Sequence, residues 1–221
     1  MKDLITIVKD NRHFFFPWLL MILLSLILLM IFSKTTLFLW INGNNSPWAD
    51  KAFYYLTPLG NGWIYLPLFV LSIFFSWRYA LIVISAVIIQ SLLVYVLKQI
   101  IFSDIVRPIR FFEDSGIIHF VEGVKVHGSR SFPSGHTITA FGVFTMLALM
   151  LKNKKAGIIM LLAASLAAYS RVYLAQHFFA DIVAGSIIGV LSSLLCYTIL
   201  INRNIKVLKK LDKGLNFLKM G

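Results

Sequence analysis

Arg171, His177 and Asp181 stand close together near the end of a strongly apolar chain. The four-residue step from His177 to Asp181 predicts that both side chains share one face of a helix. A carboxylate placed there can take the proton of one imidazole nitrogen. That fixes the tautomer and leaves the other nitrogen free as nucleophile or base. Taken alone, the pair could also simply cap the helix that follows. Asp181 is, however, the one acid of nine that falls inside an apolar run, where ionisable side chains are costly and therefore informative.

A second cluster, Ser131-Phe132-Pro133-Ser134-Gly135-His136, leads directly into an apolar run from Thr137. Pro and Ser before such a run mark a helix start, with the Ser134 hydroxyl as cap. The free N–H groups and the dipole of that helix end favour an anion. Gly135 would let a ligand approach the backbone, and His136 would face the anion as a proton donor. Alone, the segment reads as a plain helix cap. A third element is Lys98 at the end of another apolar run, followed by Arg107-Pro108. A lysine there either snorkels to the interface or binds an anion. If these pieces converge, two arginines, a lysine, a helix N-terminus and two histidines suit a phosphate or similar oxyanion, with arginine giving bidentate contacts.

What must position them is set by composition. The chain has 221 residues, 59% hydrophobic and only 14% charged, and its mean hydropathy is +0.83. So few charges cannot clothe a soluble globule, which excludes soluble, disordered and disulfide-built classes. The single cysteine, Cys196, permits no internal disulfide. Six spans are predicted: Phe14 to Phe32, Trp63 to Trp77, Tyr79 to Phe102, Thr137 to Leu151, Gly157 to Leu174 and Phe179 to Ile201. The fold class is therefore all-α, a six-transmembrane-helix bundle. The expected layout is an interfacial N-terminus (1–13), a six-span domain (14–201) and a basic tail (202–221). That tail is read either as an interfacial helix or as a frayed, solvated end.

An even span number puts both termini on one side. Thirteen of the 21 Lys and Arg then fall on the side of the termini and eight on the other, so the positive-inside rule places the termini in the cytoplasm. The candidate residues all fall at the outer interface. The +12 net charge is scattered among apolar spans, which fits anionic lipid and not nucleic acid. Gly185 and Gly189 could pack helices tightly, within the bundle or between chains; oligomeric state is not legible.

In order and spacing, Lys98…Arg107-Pro108, Pro133-Ser134-Gly135-His136 and Ser170-Arg171…His177…Asp181 resemble the three signature motifs of the type-2 phosphatidic acid phosphatase superfamily. The second and third match fully. In the first, eight residues separate Lys98 from Arg107 where the family has six. The resemblance implies a phosphatase acting on a lipid phosphate or diphosphate. His177 would be the nucleophile, Asp181 its orienting partner and His136 the general acid. Lys98, Arg107, Ser134, Gly135 and Arg171 would hold the phosphoryl oxygens. Neither metal nor cofactor is implied, and Glu113, Asp114 and Glu122 lack metal-ligand spacing. His119 and His127 read as loop residues, while Arg110 and Arg130 could assist the headgroup.

Small members of this superfamily point first to undecaprenyl diphosphate in a bacterial cytoplasmic membrane, then to lipid A, then to phosphatidylglycerol phosphate. The related vanadate haloperoxidases are soluble, which six spans oppose. A non-enzymatic anion or lipid transporter would have no use for the His177–Asp181 pair.

Overall fold

Long runs of apolar residues, broken by Ser, Asn, Pro and Gly, fold into helices throughout the described part of the chain. The computed structural model describes residues 3–113 and 115–201; Asp114 and the basic tail lie outside them. Ten α-helices and no strand occur among the described residues. They are α1 (Leu4–Asp10), α2 (Arg12–Ile31), α3 (Lys34–Gly43), α4 (Pro47–Leu56), α5 (Tyr65–Phe75), α6 (Trp77–Tyr95), α7 (Pro108–Phe111), α8 (Gly135–Met150), α9 (Gly157–Tyr173) and α10 (Phe179–Ile201). Ser33, Ser46, Ser76 and Ser134 each accept a backbone N–H from the first turn of the helix they precede, the usual use of serine at a helix start.

The all-helical membrane class is as expected, while the spans differ in detail. Among the described residues, four helical stretches are long and apolar enough to cross a bilayer: Arg12–Ile31, Trp77–Ile101, Lys154–Tyr173 and Phe179–Ile201. The expected span Trp63–Trp77 is different. Its α-helix, α5, has 11 residues, about 16 Å of rise against about 30 Å of hydrocarbon. It forms a pair with Pro47–Gly60, bent by 60°, and Pro58, Gly60 and Gly62 at the break explain why no single helix runs through. The chain also turns between α5 and α6 at Ser76, the cap residue, so that Arg78 lies inside α6. α8 has 16 residues and is the shorter apolar helix that remains. The segment 33–62, between the first two expected spans, contains the two helices α3 and α4.

On α2, Phe16, Leu19, Leu23 and Met30 are exposed, an arrangement that suits lipid and would be untenable in water. The core gathers Phe14, Phe38, Phe141, Tyr173, Leu174 and Phe178. α8 lies against α10 at glycine distance. A Cβ on Gly185 would sit 2.8 Å from the Ser134 carbonyl oxygen and 2.9 Å from Thr137 Cβ, and one on Gly189 2.6 Å from the Ile138 carbonyl oxygen. The Gly185–Gly189 face is thus used within the bundle. One end of the molecule gathers the C-terminal ends of α6 and α9 and the N-terminal ends of α8 and α10.

Candidate active site

Arg171 occupies the last turn of α9, and the chain then reverses at once. Ala175 adopts φ 56°, the left-handed conformation that commonly ends a helix. The Gln176 and His177 N–H groups both bond the Arg171 carbonyl, at 2.8 and 3.1 Å. This closed turn fixes the backbone of His177 to that of Arg171. His177 therefore lies in the turn and not on the helical face that the spacing suggests; α10 begins at Phe179. The pair forms nonetheless, because Asp181 in the first turn of α10 reaches back. Its Oδ2 is 3.1 Å from His177 Nδ1 and accepts the Phe178 N–H at 3.0 Å and the Ser131 hydroxyl at 2.5 Å. His177 is 1% exposed and Asp181 3%. Burial pushes the His177 pKa well below its usual 6.5, and the bond to Asp181 offsets this only in part, so the ring is neutral at pH 7. With Nδ1 held by the carboxylate, the Nε2 lone pair is the one available for reaction.

The second cluster is held against this turn by backbone. The Ser134 N–H bonds the Asp181 carbonyl at 3.0 Å, and the Ser134 hydroxyl accepts from the Thr137 N–H and hydroxyl at 3.4 and 3.0 Å. The expected cap is present. The Phe132–Pro133 peptide is cis. Gly135 is not required by crowding, since a Cβ there would meet only Val94 and Lys98 side-chain carbons at 3.7 and 3.9 Å.

The first motif arrives differently. α6 widens into a π-helix, Val96–Ile101, which takes extra residues per turn and carries Lys98. Lys98 Nζ donates to the carbonyls of Arg130 and Ser131 at 2.6 and 3.2 Å. It thus holds the strand of loop that supplies Ser131. The Arg107 N–H bonds the Gly128 carbonyl and the Ser131 N–H the Ile105 carbonyl, joining the first motif to the second. Arg107 Nε donates to the Ser129 carbonyl at 2.9 Å, while its Nη1 lies 3.3 Å from Gln176 Oε1. Burial lowers its pKa, partly offset by Asp181.

Arg107, His136, Arg171 and Gln176 share the wall of one cavity of about 500 Å³, whose rim carries Tyr54, Tyr55, Lys125 and His127. His177 and Asp181 lie buried beside it. Lys98 and Gly135 line a different cavity of about 390 Å³ against α6, and Arg110 a third with Glu113. The structure thus brings His136, Arg107 and Arg171 together directly, with Lys98 and Ser134 one layer behind. Among the described residues no group of three or more His, Cys, Asp or Glu could hold a metal. Three contacts were given no role in the sequence reading: Ser131 on Asp181, Gln176 on Arg107, and Thr57, whose hydroxyl accepts from Arg171 Nη1 at 2.6 Å. Ser131 stood in the second cluster and Gln176 adjoins the third motif; Thr57 carried no signal. His119 is tied to Asp50 at 2.9 Å and is a loop residue, as read.

Buried Arg171 and half-buried Arg107 around one cavity beside a neutral histidine are what the three motifs imply, and the sequence matches the family model of the PAP2 superfamily over residues 75–205. The chain belongs to the PAP2 superfamily. A lipid A 4'-phosphatase of Bacteroides thetaiotaomicron is 27% identical over 179 residues, covering 75% of this chain and 76% of that one. One from Porphyromonas gingivalis is 26% identical over 165 residues, covering 72% and 69%. Among solved structures, Aquifex aeolicus LpxE superposes with a TM-score of 0.64 at 30% identity, covering 73% of this chain and 93% of that one. The transmembrane PAP2-type phosphatidylglycerolphosphate phosphatase of Bacillus subtilis gives 0.59 at 27% identity, covering 83% and 94%. This PAP2 member is a membrane lipid phosphatase. All three motifs fall inside the matched segment, whereas α4 and Thr57 precede it.

Proposed function

We propose that this PAP2 enzyme removes a phosphate from lipid A through a phosphohistidine on His177. The observation that carries the substrate is that both curated relatives, each matched over more than two thirds of its length, are lipid A 4'-phosphatases. They favour lipid A over undecaprenyl diphosphate, the substrate the sequence alone ranks first. His177 Nε2 attacks phosphorus while Asp181 stabilises the imidazolium that develops. The ester P–O bond breaks, and His136 delivers a proton to the leaving oxygen. Water then attacks phosphorus, His136 taking its proton, and the P–Nε2 bond breaks to release phosphate and free His177. Arg107 and Arg171 stabilise the equatorial oxygens, Lys98 adds positive charge from behind, and the N–H groups of Gly135 and His136 complete the cradle. Cationic side chains of the protein thus do what a metal does elsewhere. The site lies at the outer face of a bacterial cytoplasmic membrane and both termini in the cytoplasm, a reading supported by Lys9, Arg12, Arg78 and Lys152 at the opposite end.

The test is phosphate release in detergent from a panel of lipid A, undecaprenyl diphosphate and phosphatidylglycerol phosphate. Lipid A should have the highest kcat/KM. A clear preference for undecaprenyl diphosphate would reverse the substrate assignment and leave the chemistry intact.

A further inference from the structure

We propose that Thr57, from the segment before the family-matched region, positions Arg171 for the phosphoryl group. The proposal rests on the assignment of Arg171 to the phosphoryl oxygens.

Arg171 is 6% exposed, yet its guanidinium is poorly held. Its Nη1 donates to the Thr57 hydroxyl at 2.6 Å, and its Nε meets no acceptor among the described residues. A buried cation with an unfilled donor either costs stability or awaits a ligand. The cavity beside it, also lined by Arg107 and His136, is where an oxyanion would fill that donor. Thr57 is then the fixed point that decides which edge of the guanidinium faces the cavity.

Thr57 itself is held firmly. It ends α4, with its N–H on the Phe53 carbonyl. The Phe53 ring packs between Tyr169 and Tyr173 of α9, at centroid distances of 5.2 and 4.6 Å, the two residues that bracket Arg171. Asp50, one turn earlier in α4, accepts the Tyr173 hydroxyl at 2.5 Å. Beyond Thr57 the same turn presses on the second motif. A Cβ on Gly60 would lie 2.7 Å from the His136 carbonyl oxygen. One short segment therefore sets both Arg171 and the backbone of His136, and it does so from outside the three motifs.

The experiment compares Thr57→Val, Thr57→Ser, Arg171→Gln and the double variant Thr57→Val/Arg171→Gln in purified full-length protein. Readouts are kcat/KM on the best lipid phosphate, the orthovanadate inhibition constant and the thermal midpoint. Losing a hydrogen bond to a charged group that acts in the transition state should lower kcat/KM by roughly tenfold to a hundredfold for Thr57→Val. Vanadate affinity should fall in parallel, while the thermal midpoint stays near that of the wild type. Thr57→Ser should recover activity to within a few-fold. Arg171→Gln should be worse, and adding Thr57→Val to it should change nothing further. A Thr57→Val protein with full activity, beside a dead Arg171→Gln protein, would overturn the positioning role and leave the phosphoryl site standing. Multiplicative losses in the double variant would show that Thr57 acts elsewhere, also overturning it. An active Arg171→Gln protein would remove the phosphoryl assignment and this inference together.

Discussion

Replacing Gly185 by Ala should damage chemistry from inside the helix packing, without touching any charged group. The added Cβ would sit 2.8 Å from the Ser134 carbonyl oxygen and 2.9 Å from Thr137 Cβ, about 0.6 Å inside ordinary contact. The obstructing atoms are backbone and the first turn of α8, so α8 and α10 must part. Ser134 is also bonded through its N–H to the Asp181 carbonyl, and Asp181 lies one turn before Gly185. The displacement therefore falls between His136 on α8 and the His177–Asp181 pair. Overpacking of this kind costs about 1–3 kcal/mol of stability, and a shift of several tenths of an ångström between acid and nucleophile should lower kcat by roughly 10- to 100-fold. Gly189→Ala is the control. Its Cβ would be as crowded, 2.6 Å from the Ile138 carbonyl oxygen, but one turn farther from the site. Thermal midpoints in detergent and kcat per folded enzyme should show both variants destabilised and only Gly185→Ala strongly slowed. Equal loss of kcat in both, or none in Gly185→Ala, would refute the claim that this contact sets the alignment.

Lys98→Gln should lower kcat/KM by ~10-fold or more, since its ammonium pins the Arg130 and Ser131 carbonyls beside the phosphoryl site; Arg110→Gln and Arg130→Gln should stay within a few-fold, and the opposite order would reassign the first motif. Stability should fall as pH drops below about 6.5, because the unfolded chain then binds the proton that buried His177 refuses. Guanidinium chloride midpoints should show this loss shrinking in His177→Gln, and an unchanged pH slope would contradict it. EDTA should leave phosphate release intact while orthovanadate inhibits, as a transition-state mimic in a cationic cradle does; a strict demand for added magnesium would refute the metal-independent step.

The helical class and the membership of the three motifs were legible because apolar runs and motif spacing are local properties. Asp181 was correctly singled out as an acid in an apolar run, and Ser134 as a cap. The geometry of His177 was not, because a four-residue step has the same spacing whether the histidine sits on the helix or in a tight turn before it. The second span was less legible: the reading began it at Trp63, whereas two helical stretches, Pro47–Gly60 and Gly62–Phe75, meet there at a 60° bend set by Pro58, Gly60 and Gly62. Thr57 was invisible, since a single threonine has no signature and its partner is 114 positions away. Ser131 lay inside a cluster already under scrutiny, but its bond to Asp181 depends on the packing of α8 against α10, which sequence spacing does not encode. The substrate was not legible for a related reason: chain size and span layout are shared across the family and say little about the headgroup.

The most direct test of the account is to trap the covalent intermediate. Enzyme mixed with radiolabelled lipid phosphate and quenched within one turnover should carry acid-labile, base-stable phosphate on the peptide containing His177. The label should be absent from His177→Ala and still form, more slowly, in His136→Ala when the leaving group is good. A folded His177→Ala protein that still takes up the label, or turns over at the wild-type rate, would contradict the assignment of His177 as nucleophile.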